Sequence, residues 1–223
     1  MGLEQLRVVA IDGPAGAGKS SVARRVAREL GYMFMDTGAM YRAIALGAVK
    51  KGIGLDETDA LSQYLANVEL TIFPGDDVMG LKLNDWDVTN EIRSPEMGKH
   101  ASDYSALPEV RRYCSGLQRK LGEAGEIVCE GRDMGTVVFP DARWKIFLTA
   151  SSEERARRRW QELVDRGETP DLLGLKNAIE ERDAQDSGRK LAPLKPADDA
   201  VILDTTKLKL HQVVSAIITH VRS

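Results

Sequence analysis

The chain has 223 residues, 43% of them hydrophobic and 29% charged, enough for one globular domain with a sizeable core and some elaboration. The formal net charge of −3 gives no global drive towards nucleic acid or an anionic membrane, and no apolar run approaches the ~18 residues of a membrane span. Cys114 and Cys129 are the only cysteines, too few for a disulfide framework and in keeping with a reducing compartment.

The N-terminus lacks the basic region and apolar core of a secretory signal. It begins Met1-Gly2, but position 6 is Leu6 rather than Ser or Thr, so the myristoylation pattern fails. A cytoplasmic protein is expected. The apolar run Leu6–Ile11 reads as a strand. Residues 13–20 follow as Gly-Pro-Ala-Gly-Ala-Gly-Lys-Ser, a full match to G-x-x-x-x-G-K-[ST]. A helical pattern runs from Lys19 to Leu30, so strand, loop and helix stand in the order this motif needs. Glycines at 13, 16 and 18 let consecutive backbone N–H groups turn inward on a polyphosphate, and the helix N-terminus adds partial positive charge. Lys19 is placed to reach the β- and γ-phosphates, and the Ser20 hydroxyl to ligate Mg²⁺. A dinucleotide fingerprint needs G-x-G-x-x-G, which the spacing of Gly13, Gly16 and Gly18 does not supply.

A second strand is expected over Tyr32–Met35, ending in Asp36-Thr37-Gly38-Ala39-Met40-Tyr41-Arg42. Asp-Thr-Gly occurs in aspartic proteases, but that chemistry needs a paired aspartate, and the other Asp-Thr, Asp204-Thr205, is followed by Thr206. A strand-end loop entering a helix is where α/β proteins bind ligands. Arg42, one turn into that helix, is able to reach an acceptor phosphate, and Thr37 offers a hydroxyl. Next, Val68–Phe73, Met79–Leu83 and Trp86–Val88 are separated by the turn residues Pro74-Gly75-Asp76-Asp77 and Asn84-Asp85. They read as a small antiparallel meander inserted in the α/β pattern. Met97–Gly122 then reads as mostly helical, broken at Pro108.

The strand Glu126–Cys129 leads into Glu130-Gly131-Arg132-Asp133-Met134-Gly135. The two glycines permit an irregular backbone. Arg132 and Asp133 offer opposite charges at a strand's C-terminal end, where doubly wound sheets keep their sites. Lys145–Leu148 is a further strand, and Ser151 with Glu154 reads as a capping box opening a helix. Glu153–Arg189 is helical and heavily charged, divided by Arg166-Gly167-Glu168-Thr169-Pro170. Arg155, Arg157, Arg158 and Arg159 precede the break, and Arg182 and Arg189 follow it. On a helical hairpin this set resembles a lid: fixed guanidinium groups stabilise the charge of a transferring phosphoryl group, and closure excludes water. Ala200–Leu203 is the last strand. Leu210, Val213, Val214, Ile217, Ile218 and Val221 give the last helix one apolar stripe.

Short apolar strands alternating with helices imply an α/β fold with a parallel sheet flanked by helices. The motifs point to phosphoryl transfer from ATP to a small molecule. A phosphate monoester is largely dianionic at pH 7 and is itself the nucleophile, so no Ser-His or His-Asp arrangement is required. His100, His211 and His220 accordingly have no evident partners in the sequence. On the residues alone, an acceptor such as UMP and a nucleotide-gated binding protein both stay open. A guanine-reading Asn-Lys-x-Asp is absent, which argues against a GTPase switch.

The phosphate loop, Asp36–Arg42, Gly131–Pro140 and Arg182–Arg189 together resemble the bacterial cytidylate kinases, within the nucleoside monophosphate kinases. The resemblance covers almost the whole chain, including the inserted meander. It implies one P-loop kinase domain over 1–223, with a monophosphate-binding region at 37–113 and an arginine-rich lid at 153–190. The implied reaction moves the ATP γ-phosphoryl group to CMP or dCMP, with Mg²⁺ as cofactor. Gly13, Pro14, Ala15, Gly16, Ala17, Gly18, Lys19, Ser20 and Ser21 would hold the ATP phosphates, with the metal on Ser20. Thr37, Arg42 and Arg132 would meet the acceptor phosphate, and Ser102, Arg111 and Asp133 the cytosine edge. Asp186 and Arg189 would lie near the acceptor's ribose and phosphates, and Arg182 would contact phosphate from the lid. Catalytic charge is assigned to Lys19, Arg132, Arg159, Arg182 and Arg189. A carboxylate at Asp133 accepts from the cytosine amino group, where uracil has only a carbonyl, so UMP should be the poorer acceptor. A monomer is expected, with no nucleic-acid or membrane partner.

Overall fold

The computed structural model describes residues 6–73 and 79–223, so the turn Pro74–Asp77 and the Met1-Gly2 pair lie outside the described residues. The chain opens with β1 (Leu6–Asp12), α1 (Lys19–Leu30) and β2 (Met33–Asp36). Next come α2 (Thr37–Lys50), α3 (Thr58–Asn67), β3 (Leu70–Phe73), β4 (Gly80–Leu83), β5 (Trp86–Asp87), α4 (Pro95–Tyr104) and α5 (Pro108–Gly122). It closes with β6 (Ile127–Gly131), β7 (Ala142–Thr149), α6 (Ser152–Val164), α7 (Leu172–Ser187), β8 (Val201–Asp204) and α8 (Leu210–Arg222). Two compact units result: Met1–Phe34 with Gly122–Ser223, and Met35–Leu121.

The first unit is built on a sheet in the order β2-β6-β1-β7-β8. β1 pairs in parallel with β6 on one side, Asp12 opposite Gly131, and with β7 on the other, Asp12 opposite Phe147. β8 adds to β7, also in parallel. From β1 the chain runs out to the edge at β2 and later returns beside β1, so the loop after β1 lies where the strand order turns. Val8, Val9, Ala10 and Ile11 are fully buried, which is why this strand reads as an unbroken apolar run. Val22, Ala23, Val26 and Ala27 of α1 join Val213, Val214, Ile217, Ile218 and Val221 of α8 in one core with Val9, Ile11, Ile146 and Leu148. Each valine, leucine or isoleucine there contributes roughly 1.5–3 kcal/mol relative to exposure.

Two expectations are corrected here. Leu210, counted in the apolar stripe of the last helix, stays 39% exposed. It is the first residue of α8, and its Cβ tilts back past the helix start rather than onto the core. The capping box at α6 is only half made. Ser151 Oγ accepts from Glu154 N–H, but Ser151 N–H donates to Thr206 Oγ1, and the Glu154 carboxylate turns to Arg157 and Arg158.

In the second unit α2 buries ten of its fourteen residues, among them Ala39, Met40, Ala43, Ile44 and Ala48, as an element apolar on most faces must. Gly47 is required there, because a Cβ would meet the Tyr64 hydroxyl at 2.1 Å. The expected meander is present as the antiparallel order β3-β4-β5, with Leu70, Leu81 and Leu83 buried. Its second turn is two residues long and Asn84 adopts φ 52°, a left-handed conformation asparagine tolerates. Helix α4 starts earlier than the expected Met97, because Ser94 Oγ caps it by accepting from Met97 N–H.

Candidate active site

Backbone geometry shapes the phosphate loop. Gly13 has φ 149°, and a Cβ there would lie 2.1 Å from the Leu148 carbonyl oxygen, so no side chain fits. Gly18 is the cap residue of α1 at φ 86° and offers no side-chain cap to the first-turn amides. Uncapped N–H groups at a helix start are an anion site in waiting. Lys19 is buried and its Nζ donates to the Pro14 carbonyl at 2.8 Å. Burial pushes its pKa down to about 7, with Arg132 adding to the shift and Glu130 opposing it. Ser20 Oγ donates to Glu130 Oε1 at 2.6 Å, while Ser21 is exposed.

Glu130 stood in the expected motif without a role. The register explains its position: it is the penultimate residue of β6 and stands opposite Ile11, two residues before the loop begins. Its carboxylate and the Ser20 hydroxyl are hard oxygen donors that fit Mg²⁺, an ion that takes one or two protein oxygens and leaves the rest to phosphates and water.

A second cluster gathers charge from β6 and α7. The Asp186 side chain, 2% exposed, accepts from Arg132 Nε and pairs with Arg189 Nη2, each at 2.7 Å. Burial alone would raise the Asp186 pKa, but Arg132 and Arg189 outweigh it and hold the carboxyl below its usual value. Burial likewise works against the charge on Arg132, and Asp186 overcomes it. Arg182 lies close enough to act electrostatically on both Lys19 and Asp186.

Asp12, last residue of β1, joins the loop's base to the segment after β6. Its carboxylate accepts from Met134 N–H at 2.9 Å and Gly135 N–H at 2.8 Å. Burial, opposed by these two bonds, pushes its pKa up to about 6. Met134–Val138 forms one π-helical turn, the irregular backbone that Gly131 and Gly135 suggested, with buried Asp133 at its start. Such turns recur at functional sites.

In the second unit, β2 passes into α2 with no intervening loop. Asp36 caps the helix by accepting from Ala39 N–H at 2.8 Å, and its other oxygen lies 3.4 Å from Arg42 Nη2. Arg42 Nε is buried and makes no hydrogen bond. Thr37 is buried at the first helical position. Arg111 Nη1 donates to the Ser105 carbonyl at 3.2 Å and its guanidinium stands over the Tyr41 ring. Ser105 Oγ in turn donates to the Ser102 carbonyl, so Ser102, Ser105, Arg111 and Tyr41 form one buried polar corner.

Arg159 Nη1 goes to Glu162 Oε2 at 3.0 Å on the flank of α6. The buried arginine of that helix is Arg155, one turn earlier, which contacts the Ala15 carbonyl. Neighbouring arginines on a helix point in different directions, so composition could not pick between them. Sequence reasoning left Asp12, Glu130 and Asp183 without a role and counted Arg155 only among the lid arginines; Asp183 Oδ1 accepts from Ala15 N–H in the loop. His100 Nε2 lies 3.6 Å from Glu96 Oε1, one turn earlier on α4.

A cytidylate kinase family model matches residues 9–223. The cytidylate kinase of Carboxydothermus hydrogenoformans is 45% identical over 210 residues, 94% of this chain and 95% of its own length. That of Pseudomonas paraeruginosa is 48% identical over 215 residues, 96% of this chain and 94% of its own. Among solved structures, a gluconokinase from Sinorhizobium meliloti has a TM-score of 0.50 at 15% identity, over 99% of this chain and 94% of its own, a likeness of fold alone.

Proposed function

This chain belongs to the cytidylate kinase family, and on that premise we propose that the phosphate loop seats ATP while the Asp186-centred arginines receive the acceptor phosphate. The enzyme is a nucleoside monophosphate kinase on a P-loop kinase fold, transferring the γ-phosphoryl group of ATP to CMP or dCMP. An oxygen of the CMP phosphate attacks the γ-phosphorus, the bond to the β–γ bridging oxygen breaks, and ADP leaves. The attacking phosphate is already ionised, so the protein's work is positioning and charge.

Residues 13–21 hold the donor phosphates through backbone N–H groups, with Lys19 on the β- and γ-oxygens. Ser20 and Glu130 would hold Mg²⁺, which when bound would neutralise charge on those oxygens. We assign Thr37, Arg42 and Arg132 to the acceptor phosphate, and Arg182, Asp186 and Arg189 to the acceptor and the transferring group. Ser102, Arg111 and Asp133 are assigned to the cytosine edge. The stretch 153–190 acts as a lid and 37–113 as the monophosphate-binding region. The observation that carries this reading is the Asp186 cluster: one buried carboxylate aligns two arginines beside Arg182, and Arg182 acts on the loop lysine. Such preorganised charge is what phosphoryl transfer needs.

Among the described residues no helix is long and apolar enough to cross a membrane. Both cysteines are buried and unpaired, which supports a reducing, cytoplasmic setting. We also read the enzyme as a monomer, which sedimentation would test. The decisive experiment for function measures ADP release with CMP, dCMP, UMP, AMP and shikimate as acceptors. CMP should rank first; CMP ranking below UMP or AMP would overturn the assignment.

A further inference from the structure

Asp183 and Arg155 take no part in the mechanism above, yet they grip the phosphate loop on both sides of one Cα. Ala15 N–H donates to Asp183 Oδ1 at 3.1 Å, and Arg155 Nη1 donates to the Ala15 carbonyl at 2.8 Å. The same Arg155 Nη1 lies 2.5 Å from Asp183 Oδ2, with side-chain exposures of 8% and 20%. Arg155 is itself anchored, since its Nε donates to the Ala150 carbonyl at 3.0 Å. Its backbone also presses on the loop: a Cβ at Gly16 would meet Arg155 Cβ at 3.1 Å and its carbonyl oxygen at 3.3 Å. The loop is therefore held by α6 and α7 together.

Two consequences follow from this geometry. The orientation of the peptides flanking Ala15 decides where the next N–H groups of the loop point, and both polar groups of Ala15 are committed to protein. Asp183 also shares α7 with Arg182 and Asp186, at steps of one and three residues, and its charge is felt by Arg132. Anchoring Asp183 to the loop thus registers α7, and the guanidinium groups it aligns, against the donor phosphates. A misplacement of ~1 Å in such an arrangement can cost ~10²-fold in rate.

We propose that Arg155 and Asp183 form a positioning clasp, fastening α7 to the phosphate loop so that donor phosphates and transfer-stabilising arginines keep one geometry. The proposal rests on the reading that the loop holds ATP and that Arg182 and Arg189 act on the transferring group.

The test is steady-state kinetics with ATP and CMP for Asp183→Asn, Asp183→Ala, Arg155→Ala and the Asp183→Ala/Arg155→Ala double variant. Thermal unfolding is followed in parallel, and rates are taken well below every midpoint. Asn keeps an oxygen for Ala15 N–H but loses the charge facing Arg155; Ala loses both. The clasp predicts kcat lower by ~5-fold for Asn and by ~10–10²-fold for Ala, with KM for CMP within ~3-fold of wild type. The double variant should be no worse than the poorer single one, since the pair acts as a unit. A kcat within twofold of wild type for Asp183→Asn overturns the proposal, and Asn decides alone if the Ala variants do not fold. Additive losses, or losses confined to KM for CMP, overturn it too. Wild-type enzyme that fails to phosphorylate CMP would instead overturn the functional reading, so the two failures are distinguishable.

Discussion

Lys19 is a buried cation and Arg132 a half-buried one, and the protein treats them differently. Lys19 rests on the Pro14 carbonyl, a neutral acceptor, and burial pushes its pKa down to about 7. Arg132 is set against the Asp186 carboxylate at 2.7 Å, which overcomes its burial and which also holds Arg189. The arginines are thus permanently charged and aligned before an acceptor arrives. The lysine is a conditional cation, and its charge is completed by the polyphosphate it meets. The guanidinium suits the first task, with its planar fork and high pKa, and the ammonium the second, because its pKa yields on burial.

The largest effect expected on this contrast comes from deleting the conditional cation. Lys19→Ala should lower kcat by at least ~10²-fold, since the loop 13–20 carries no other charged side chain to meet the β- and γ-oxygens. Near-normal turnover in a coupled ADP-release assay would contradict the loop's role. Asp186→Ala attacks the permanent side of the contrast. It leaves the half-buried Arg132 and Arg189 as like charges without their shared carboxylate; breaking a fully buried pair costs about 3–5 kcal/mol, an upper bound here. We expect a lower unfolding temperature and kcat/KM for CMP reduced by ~10–10²-fold. Retention of both would mean that Asp186 does not align the arginines. A smaller, selective effect is expected at Asp133. Asp133→Ala should damage CMP use and narrow the CMP/UMP preference by ~10-fold, in line with ~1–3 kcal/mol of base discrimination. An unchanged preference would remove Asp133 from base recognition.

The two regions also differed in how far the sequence disclosed them. β1, the loop and α1 are contiguous, and helix α1 has the bounds Lys19–Leu30 read from periodicity, because glycine spacing and helix start are local properties. The meander was equally legible, since its strands are neighbours in sequence that pair antiparallel, and the second turn is the Asn84-Asp85 pair. Contacts across long separations were not. Ala15 meets Arg155 across 140 residues and Asp183 across 168, and nothing in the local pattern marks either as a loop contact. The arginine run at α6 showed only that charge was present; helix register sent Arg155 to the loop and Arg159 to Glu162. Glu130 was visible as a strand-end carboxylate, but its partnership with Ser20 depends on β6 lying beside β1, which is a matter of strand order.

The smallest effect is the one that isolates the conditional charge. With a pKa of about 7, Lys19 is mostly neutral in ligand-free enzyme at pH 8. The phosphates of ATP are ionised there, their last pKa lying near 6. Bringing them to Lys19 favours the ammonium and lifts its pKa back towards its ordinary value, so the complex binds a proton the free protein lacked. ATP binding at pH 8 should therefore take up protons, approaching one per site, and affinity should fall as pH rises from 7 to 9. The arginines contribute nothing to this uptake, since they are charged in both states. Folding carries the opposite sign: the unfolded chain holds the Lys19 proton up to its ordinary value of 10.5, the native state only to about 7, so stability gains with pH across that interval. Calorimetric titration of ATP at pH 8 in two buffers of different ionisation enthalpy reads the proton count directly. Lys19→Ala should abolish the uptake, while Asp133→Ala should leave it intact. No uptake in wild-type enzyme would make Lys19 a permanent cation like Arg132, and the division of labour between the two regions would then lie in geometry alone.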